Sequence, residues 1–481
     1  MRRLLPVLVS CCLSACALIQ DSGRTVAQIP PEEIRLAQDI HLAADGWPQA
    51  RWWTNYGDAQ LDMLMDYALG HAPDLAVARG RIEQAQARVR LVSADTQPQA
   101  VLGAEVDRQR VSGEGFLAPW AQNEPAAGLT GPWYTEATVG LAVGYRVDLW
   151  GEDRARVDAA IGAKNARLAE AAEVELEISA AVARLYFDIQ TLQQKITLLE
   201  QAREIQAEVL ASHQARLDTG LESRTPAADA DALLIQMDQQ LTVLRTQGRE
   251  LREILRALIG AHADDMPAVE PAALPTATAG VPETLSYQLL ARRPDLQALR
   301  WYVQASFKQI DAAKAAFYPS FDIKAFIGRN AIHSEDLWGP SAKQYNLIPG
   351  LSLPIFDGGR LNANLGRARA ESNTLVEQYN QAVLNAVRDV AVGGTRLQGA
   401  QQQVRLQEAR VRELEVASAS AGAHYERGLY SRVKSREARL PVIYQQAELA
   451  ELRGRQLSAS VALVKALGGG YVSVQGDVER N

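Results

Sequence analysis

Few side chains in this sequence are arranged for chemistry. The six histidines, at positions 41, 71, 213, 262, 333 and 424, form no H-x-x-x-H pair, so no zinc site of that kind is encoded. No Walker loop, nucleophile elbow or paired-cysteine motif is present, and neither a cofactor nor an enzymatic activity is expected. Gly468-Gly469-Gly470 ends a helical stretch with no phosphate-binding helix after it, and reads as a hinge. Two groups remain. One is the set of cysteines, Cys11, Cys12 and Cys16, all within the first sixteen residues. The other is the charged run Ser431-Arg432-Val433-Lys434-Ser435-Arg436-Glu437-Ala438-Arg439, which reads either as an ion-pair cluster or as a solvated face.

Arg2 and Arg3 precede a short apolar run from Leu4 to Ala15, the pattern of a secretory signal over residues 1–15. Leu13-Ser14-Ala15-Cys16 resembles the bacterial lipobox, in which the cysteine becomes the lipidated first residue of the mature chain. Ala17 follows, where an aspartate commonly signals inner-membrane retention, so the outer membrane is the expected destination. With Cys16 acylated, no cysteine remains for a disulfide. The chain has 481 residues, is 47% hydrophobic and carries a net charge of −7. That mild acidity, without a long basic run, argues against nucleic acid. No apolar stretch of about 18 residues exists, so no transmembrane helix is expected.

The elements that must position any site begin with Glu152 to Leu217, which has no proline and a single glycine, Gly162. Val182, Leu185, Ile189, Leu192, Ile196 and Leu199 form the apolar seam of a coiled coil. About 65 residues at 1.5 Å each make a rod of roughly 100 Å. Gly220 closes it, and after Ser223 a second seam returns through Leu234, Met237, Leu241, Leu244, Leu251, Leu255 and Leu258. Gly248 holds the one seam position without an apolar side chain.

From Thr135 onward the chain alternates: Ala137, Val139, Leu141, Val143, Tyr145, Val147 and Leu149 face one way, and Glu136, Thr138, Gly140, Ala142, Gly144, Arg146 and Asp148 the other. Such a long period of two suits a membrane strand. Ala100 to Val111 alternates weakly, and a helix broken near His71-Ala72-Pro73 precedes it, from Leu61 to Ala94.

Much of this pattern recurs. The segment beginning PDLAVARGRIEQ at Pro73 matches PDLQALRWYVQA at Pro294, an offset of 221 that places Pro98 on Pro319. Asp148 to Arg154 matches Pro354 to Arg360, the tip Arg216 to Ser223 matches His424 to Ser431, and Ala257-Gly260 matches Lys465-Gly468. In the second half Phe321, Ile323, Ala325 and Ile327 alternate with Asp322, Lys324, Phe326 and Gly328; Tyr345, Leu347, Leu351, Leu353 and Ile355 then share one parity of a second strand, which Pro349 and Pro354 weaken. The expected organisation is a tether over 16–58, a first repeat over 59–260, a linker over 261–283, a second repeat over 284–469 and a tail over 470–481.

Four membrane strands cannot close a barrel, and an open edge in lipid strands unpaired backbone groups, so other copies must seal it. Two copies would give eight strands and three would give twelve. Stacking each helix that precedes a strand end to end with a return helix restores the length of the rod. The result is a tube of helices crowned by a barrel, a conduit without chemistry of its own. An exit duct for secreted polypeptides and a structural coiled coil of the envelope are the competing readings; the second predicts no conductance.

Arg293-Pro294-Asp295-Leu296, Ala315-Ala316-Phe317-Tyr318-Pro319-Ser320, Asp148-Leu149-Trp150-Gly151, Pro354-Ile355-Phe356-Asp357-Gly358-Gly359-Arg360 and the lipobox together resemble the outer-membrane efflux lipoproteins of the TolC/OprM/NodT type. The resemblance covers nearly the whole mature chain. It implies an all-α periplasmic coiled-coil barrel on a membrane β-barrel, twelve-stranded in a homotrimer set in outer-membrane lipid. It also implies docking to a periplasmic adaptor and an inner-membrane pump that supplies the energy of multidrug efflux.

In that family the hairpin tips meet the adaptor, here Gly220, Leu221 and Ser223 with Gly428, Leu429 and Ser431. Family members narrow the inner end with aspartates just after the second tip. Here Lys434 and Arg436 replace an acid and an aliphatic residue, and Glu437 keeps the second acid. The expected substitute is an ion-pair collar of Arg432, Lys434, Arg436 and Glu437 with Asp229 or Asp231 of the other hairpin, against the plainer alternative of a solvated face.

Overall fold

The structure, a computed structural model of the chain, describes residues 26–28, 42–43, 47–127, 129–276, 281–282 and 292–472. Cys16 and the signal segment lie outside the described residues, as does most of the expected tether. Two compact units result, each drawing on both repeats. One comprises Met1–Ala27, Glu83–Asn165 and Trp301–Glu377; the other comprises Gln28–Ile82, Ala166–Arg300 and Gln378–Asn481. Among the described residues no helix is long and apolar enough to cross a membrane.

The first unit holds a four-stranded antiparallel sheet in the order β1-β2-β3-β4, with β1 Gln99–Arg110, β2 Trp133–Val147, β3 Ser320–Ala331 and β4 Lys343–Ser352. Each strand pairs with the next, so β1 and β4 are the rims. Registers such as Leu102↔Leu141, Leu141↔Ile327 and Ile327↔Tyr345 carry one apolar face across all four strands. The opposite face is largely polar, with Val101, Phe326 and Ile348 among its exceptions. There Asn330 Nδ2 donates to Glu136 Oε1 (2.8 Å) and Thr138 Oγ1 (2.7 Å), and Arg146 lies directly opposite Asp322, 3.5 Å away. One face for lipid and one for water is the alternation that membrane strands require.

Two strand ends differ from expectation. β2 stops at Val147 because Asp148 turns to accept the amides of Asp153 (3.3 Å) and Arg154 (3.1 Å), capping the next helix. β4 ends at Ser352, leaving Leu353, Pro354 and Ile355 outside the ladder. Pro349 stays within it, opposite Ile323, because β4 is a rim and one side of it needs no donor.

Among the described residues the α-helices, in chain order, are α1 Ala59–His71, α2 Pro73–Asp95, α3 Glu152–Asp218, α4 Arg224–Ile259, α5 Pro294–Ala315, α6 Arg360–Glu426, α7 Arg432–Glu437 and α8 Leu440–Ala466. The duplication is metric. α3 and α6 both have 67 residues, and β1 and β3 both have 12. From helix start to tip the offset is 208, since α3 opens at Glu152 and α6 at Arg360. The sequence match of Arg154 to Arg360 is therefore two residues out. The acids ahead of the two helices cap at different spacings, Asp148 on the amides of Asp153 and Arg154, and Asp357 on those of Gly359 (3.0 Å) and Leu361 (2.7 Å).

In the second unit the seam is buried as expected, Val182, Ile189, Leu192 and Leu199 of α3 packing with Met237, Leu241 and Leu255 of α4. The core continues into Trp52, Trp53 and Tyr56, with the Tyr186 hydroxyl donating to Asp58 Oδ2 (2.6 Å). A Cβ added at the seam glycine, Gly248, would stand 3.5 Å from Leu192 Cδ2, an ordinary contact. Gly248→Ala is expected to raise stability by about 1 kcal/mol, read as a higher thermal midpoint, by removing backbone entropy inside a helix. A lower midpoint would contradict this reading of the seam.

Each return helix ends against the start of another. Gly260, after α4, has φ +70, and a Cβ there would lie 2.7 Å from the carbonyl of His71, just before α2. Gly468, after α8, has φ +89, and a Cβ there would lie 2.0 Å from the carbonyl of Arg292, just before α5. The triglycine is thus no hinge. Gly469 is pressed on Leu176 and Gly470 on the backbone of Gln49, so this is a closely packed joint where a side chain has no room. It also explains Arg293-Pro294-Asp295. Arg293 donates to the last carbonyl of α8, Ala466 O (3.1 Å), and holds both oxygens of Asp295 (3.0 and 2.7 Å) in the first turn of α5.

Glu173 of α3 faces this joint, and burial, then the negative charge of Asp295, pushes its carboxyl up to about 7, with Arg293 and Lys465 opposing. A folded value above the unfolded 4.5 means that its contribution is complete below about pH 4.5 and is lost as pH rises to about 7. The loss is up to about 3 kcal/mol. Glu173→Gln is expected to flatten thermal stability over that window and leave the variant the more stable of the two above pH 7; an unchanged slope would refute the assignment.

Candidate functional site

The two hairpin tips are built alike. At the first, Gly220 N–H donates to Leu217 O (2.9 Å) and Leu221 N–H to Arg216 O (2.8 Å); at the second, Gly428 N–H donates to Tyr425 O (2.9 Å) and Leu429 N–H to His424 O (2.8 Å). These are paired Schellman closures, and both glycines have φ +72, a left-handed conformation other residues reach only with strain. Each closure leaves its leucine outside, Leu221 73% and Leu429 65% exposed. Ser223 and Ser431 precede the return helices, but only Ser431 caps, its Oγ accepting from Lys434 N–H (3.2 Å).

The surrounding chemistry differs between the tips. Glu222 lies 2.8 Å from His213 Nδ1 and 3.8 Å from Arg216 at the first. At the second, His424 and Tyr430 are 4.9 Å apart by ring centroids, and Lys434 Nζ stands 3.9 Å over the Tyr430 ring.

The charged run does form ion pairs, with a partner the sequence reading did not name. Arg436 Nε is 2.8 Å and Arg432 Nη2 3.8 Å from Glu208 Oε2 of α3. Asp229 and Asp231 are exposed on α4 and make no ion pair with α7, and Glu437 is exposed and joins neither. Glu208 sits between Ile205 and Val209, both buried, so an acid bordering the seam was the available signal. The second return is also not one helix. Pro441 cannot donate to the carbonyl of Glu437, and the chain breaks at 438–439 between α7 and α8. α7 is thereby a separate short segment, tied to α3 by Arg436 and Arg432.

A two-faced antiparallel meander combined with duplicated helical hairpins is the architecture of a TolC-like outer-membrane channel subunit. The chain belongs to the outer membrane efflux protein family, whose model matches residues 64–261 and 285–469. It is 51% identical over 459 residues to the multidrug resistance outer membrane protein MdtP of Escherichia coli, covering 95% of this chain and 94% of that one. It is 39% identical over 460 residues to the putative multidrug resistance outer membrane protein MdtQ of Shigella flexneri, covering 95% and 96%. The crystal structure of the outer membrane protein VceC from Vibrio cholerae superposes with a TM-score of 0.76 at 30% identity, covering 88% of this chain and all of that one. The Campylobacter jejuni CmeC outer membrane channel shares the fold, with a TM-score of 0.80 at 19% identity and 95% of each chain covered.

Proposed function

We propose that this outer-membrane efflux protein is the exit duct of a tripartite multidrug efflux system in a Gram-negative envelope. Three copies join rim to rim through β1 and β4 into a twelve-stranded barrel, and their helical hairpins continue it into a periplasmic α-barrel. The observation that carries this is the sheet, apolar on one face, largely polar on the other and open at both rims. The duct is passive, with energy from an inner-membrane pump and the connection made by a periplasmic adaptor at Gly220, Leu221 and Ser223 and at Gly428, Leu429 and Ser431. Residues 1–15 are removed and Cys16 carries the lipid, with 16–58 as its tether.

The test is a chromosomal deletion exposed to a panel of toxic compounds, with and without candidate pumps, and complemented by the gene. Hypersensitivity restored only when chain and pump are both present is the expected result; unchanged tolerance across the panel would overturn the proposal. In the same strain Cys16→Ser is expected to lose the mass increment of the lipid anchor, and a wild-type mass would remove the lipidation.

A further inference from the structure

The apolar face of the sheet is not uniform from end to end. Cations occur on it only near the ends of the strands that lead into the β1–β2 and β3–β4 loops. Arg108 and Arg110 lie in the last turn of the pleat of β1, Arg329 near the end of β3, and Lys343 opens β4. No aspartate or glutamate shares this face, as the registers show, and none of the four has an acidic partner among the described residues. Arg329 and Lys343 stand directly opposite each other across β3 and β4. Like charges in that position destabilise a sheet unless an anion lies between them.

Aromatic rings accompany them. Arg108 is 5.7 Å over Trp133, which is 54% exposed, and Arg329 is 5.6 Å over Trp338, which is 72% exposed. Arg329 also donates through Nη1 to the carbonyls of Leu337 (3.4 Å) and Gly339 (3.0 Å), which fixes the guanidinium in place with other donors free. At the helix end, the same face carries residues such as Leu102, Val147, Phe321 and Leu351, without charge.

We infer that this loop-side belt is a binding surface for the phosphate groups of anionic lipids in the leaflet beside the loops. An apolar face bordered by tryptophans is the part of a membrane strand that meets acyl chains and headgroups. Cations at that border without counter-acids match phosphate, which accepts from guanidinium and ammonium alike. β1 and β4 run in opposite directions, so their cationic ends lie on the same side of the sheet, and rim-to-rim joining of copies would bring the Lys343 end of one beside the Arg110 end of the next. This rests on the membrane reading proposed above.

The test uses the full chain reconstituted in phosphatidylcholine bilayers with spin-labelled phosphatidic acid or spin-labelled phosphatidylcholine, read by electron spin resonance. The wild type is expected to hold phosphatidic acid about fivefold more strongly, with the preference shrinking as salt rises. Arg108→Gln, Arg110→Gln, Arg329→Gln and Lys343→Gln together are expected to abolish the preference, whereas Arg81→Gln, Arg88→Gln and Arg90→Gln on α2 leave it intact. Should the fourfold variant fail to insert, Arg108→Gln with Lys343→Gln on the rims is expected to halve it at least. Equal retention of both lipids by the wild type, or an undiminished preference in the variants, overturns the inference alone. Absence of any motionally restricted lipid removes the membrane reading and this inference with it.

Discussion

Replacing Arg436 by alanine is expected to open the periplasmic end, raising the single-channel conductance of the chain in planar bilayers toward that of an unrestricted pore. Arg436 lies 2.8 Å from Glu208, with both side chains about a third exposed, so solvent screens the pair and its share is about 1 kcal/mol per copy. One pair is a weak latch. In the proposed trimer three equivalent latches hold one closed state, and about 3 kcal/mol shifts a closed-to-open ratio by roughly a hundredfold. Glu208→Gln is expected to match Arg436→Ala, and exchange of the two charges, Arg436→Glu with Glu208→Arg, to restore closure. Lys434→Ala is expected to change little, because Lys434 leans on Tyr430 within its own tip. Wild-type closure in both Arg436→Ala and Glu208→Gln would show that the run is only a solvated face.

The largest loss of stability is expected from Gly468→Ala. The added Cβ would stand 2.0 Å from the Arg292 carbonyl, and the backbone at φ +89 disfavours any side chain. Backbone cannot yield as a flexible side chain does, so the joint between α8 and α5 must part. The expected cost is at least about 3 kcal/mol, the range of severe overpacking with added strain. Gly260→Ala, at 2.7 Å from His71 O, is expected to follow at a smaller cost. Gly220→Ala and Gly428→Ala meet nothing within 4 Å and lose only about 1 kcal/mol of left-handed strain. Thermal unfolding of the four variants tests the order; a Gly468→Ala protein as stable as Gly220→Ala would restore the hinge.

The parts of this molecule legible in its sequence are those governed by local periodicity. A seam repeating at three and four residues gave α3 and α4, a period of two gave β2 and the polarity of its faces, and a glycine after each rod marked the tips. The duplication made each inference twice. What could not be read depended on which distant residues meet. Glu208 and Arg436 are far apart in sequence, and no spacing rule selects Glu208 over Asp229 or Asp231. The triglycine looks flexible when only its composition is known, and becomes crowded once Gln49, Leu176 and Arg292 converge on it. The repeat implied one return helix in each half; in the second, Pro441 lacks the amide an unbroken helix needs there and splits it into α7 and α8.

In the proposed assembly, the rims of β1 and β4 would tie the maturation of this molecule to its abundance. A newly exported chain would carry two rows of amides and carbonyls that another copy completes, and until one arrives the same rows invite wrong neighbours. The waiting time for completion lengthens as chains become scarce, so synthesis rate and export rate govern yield as much as intrinsic stability does. A cell making few copies would therefore accumulate unfinished subunits before it lacked working ducts.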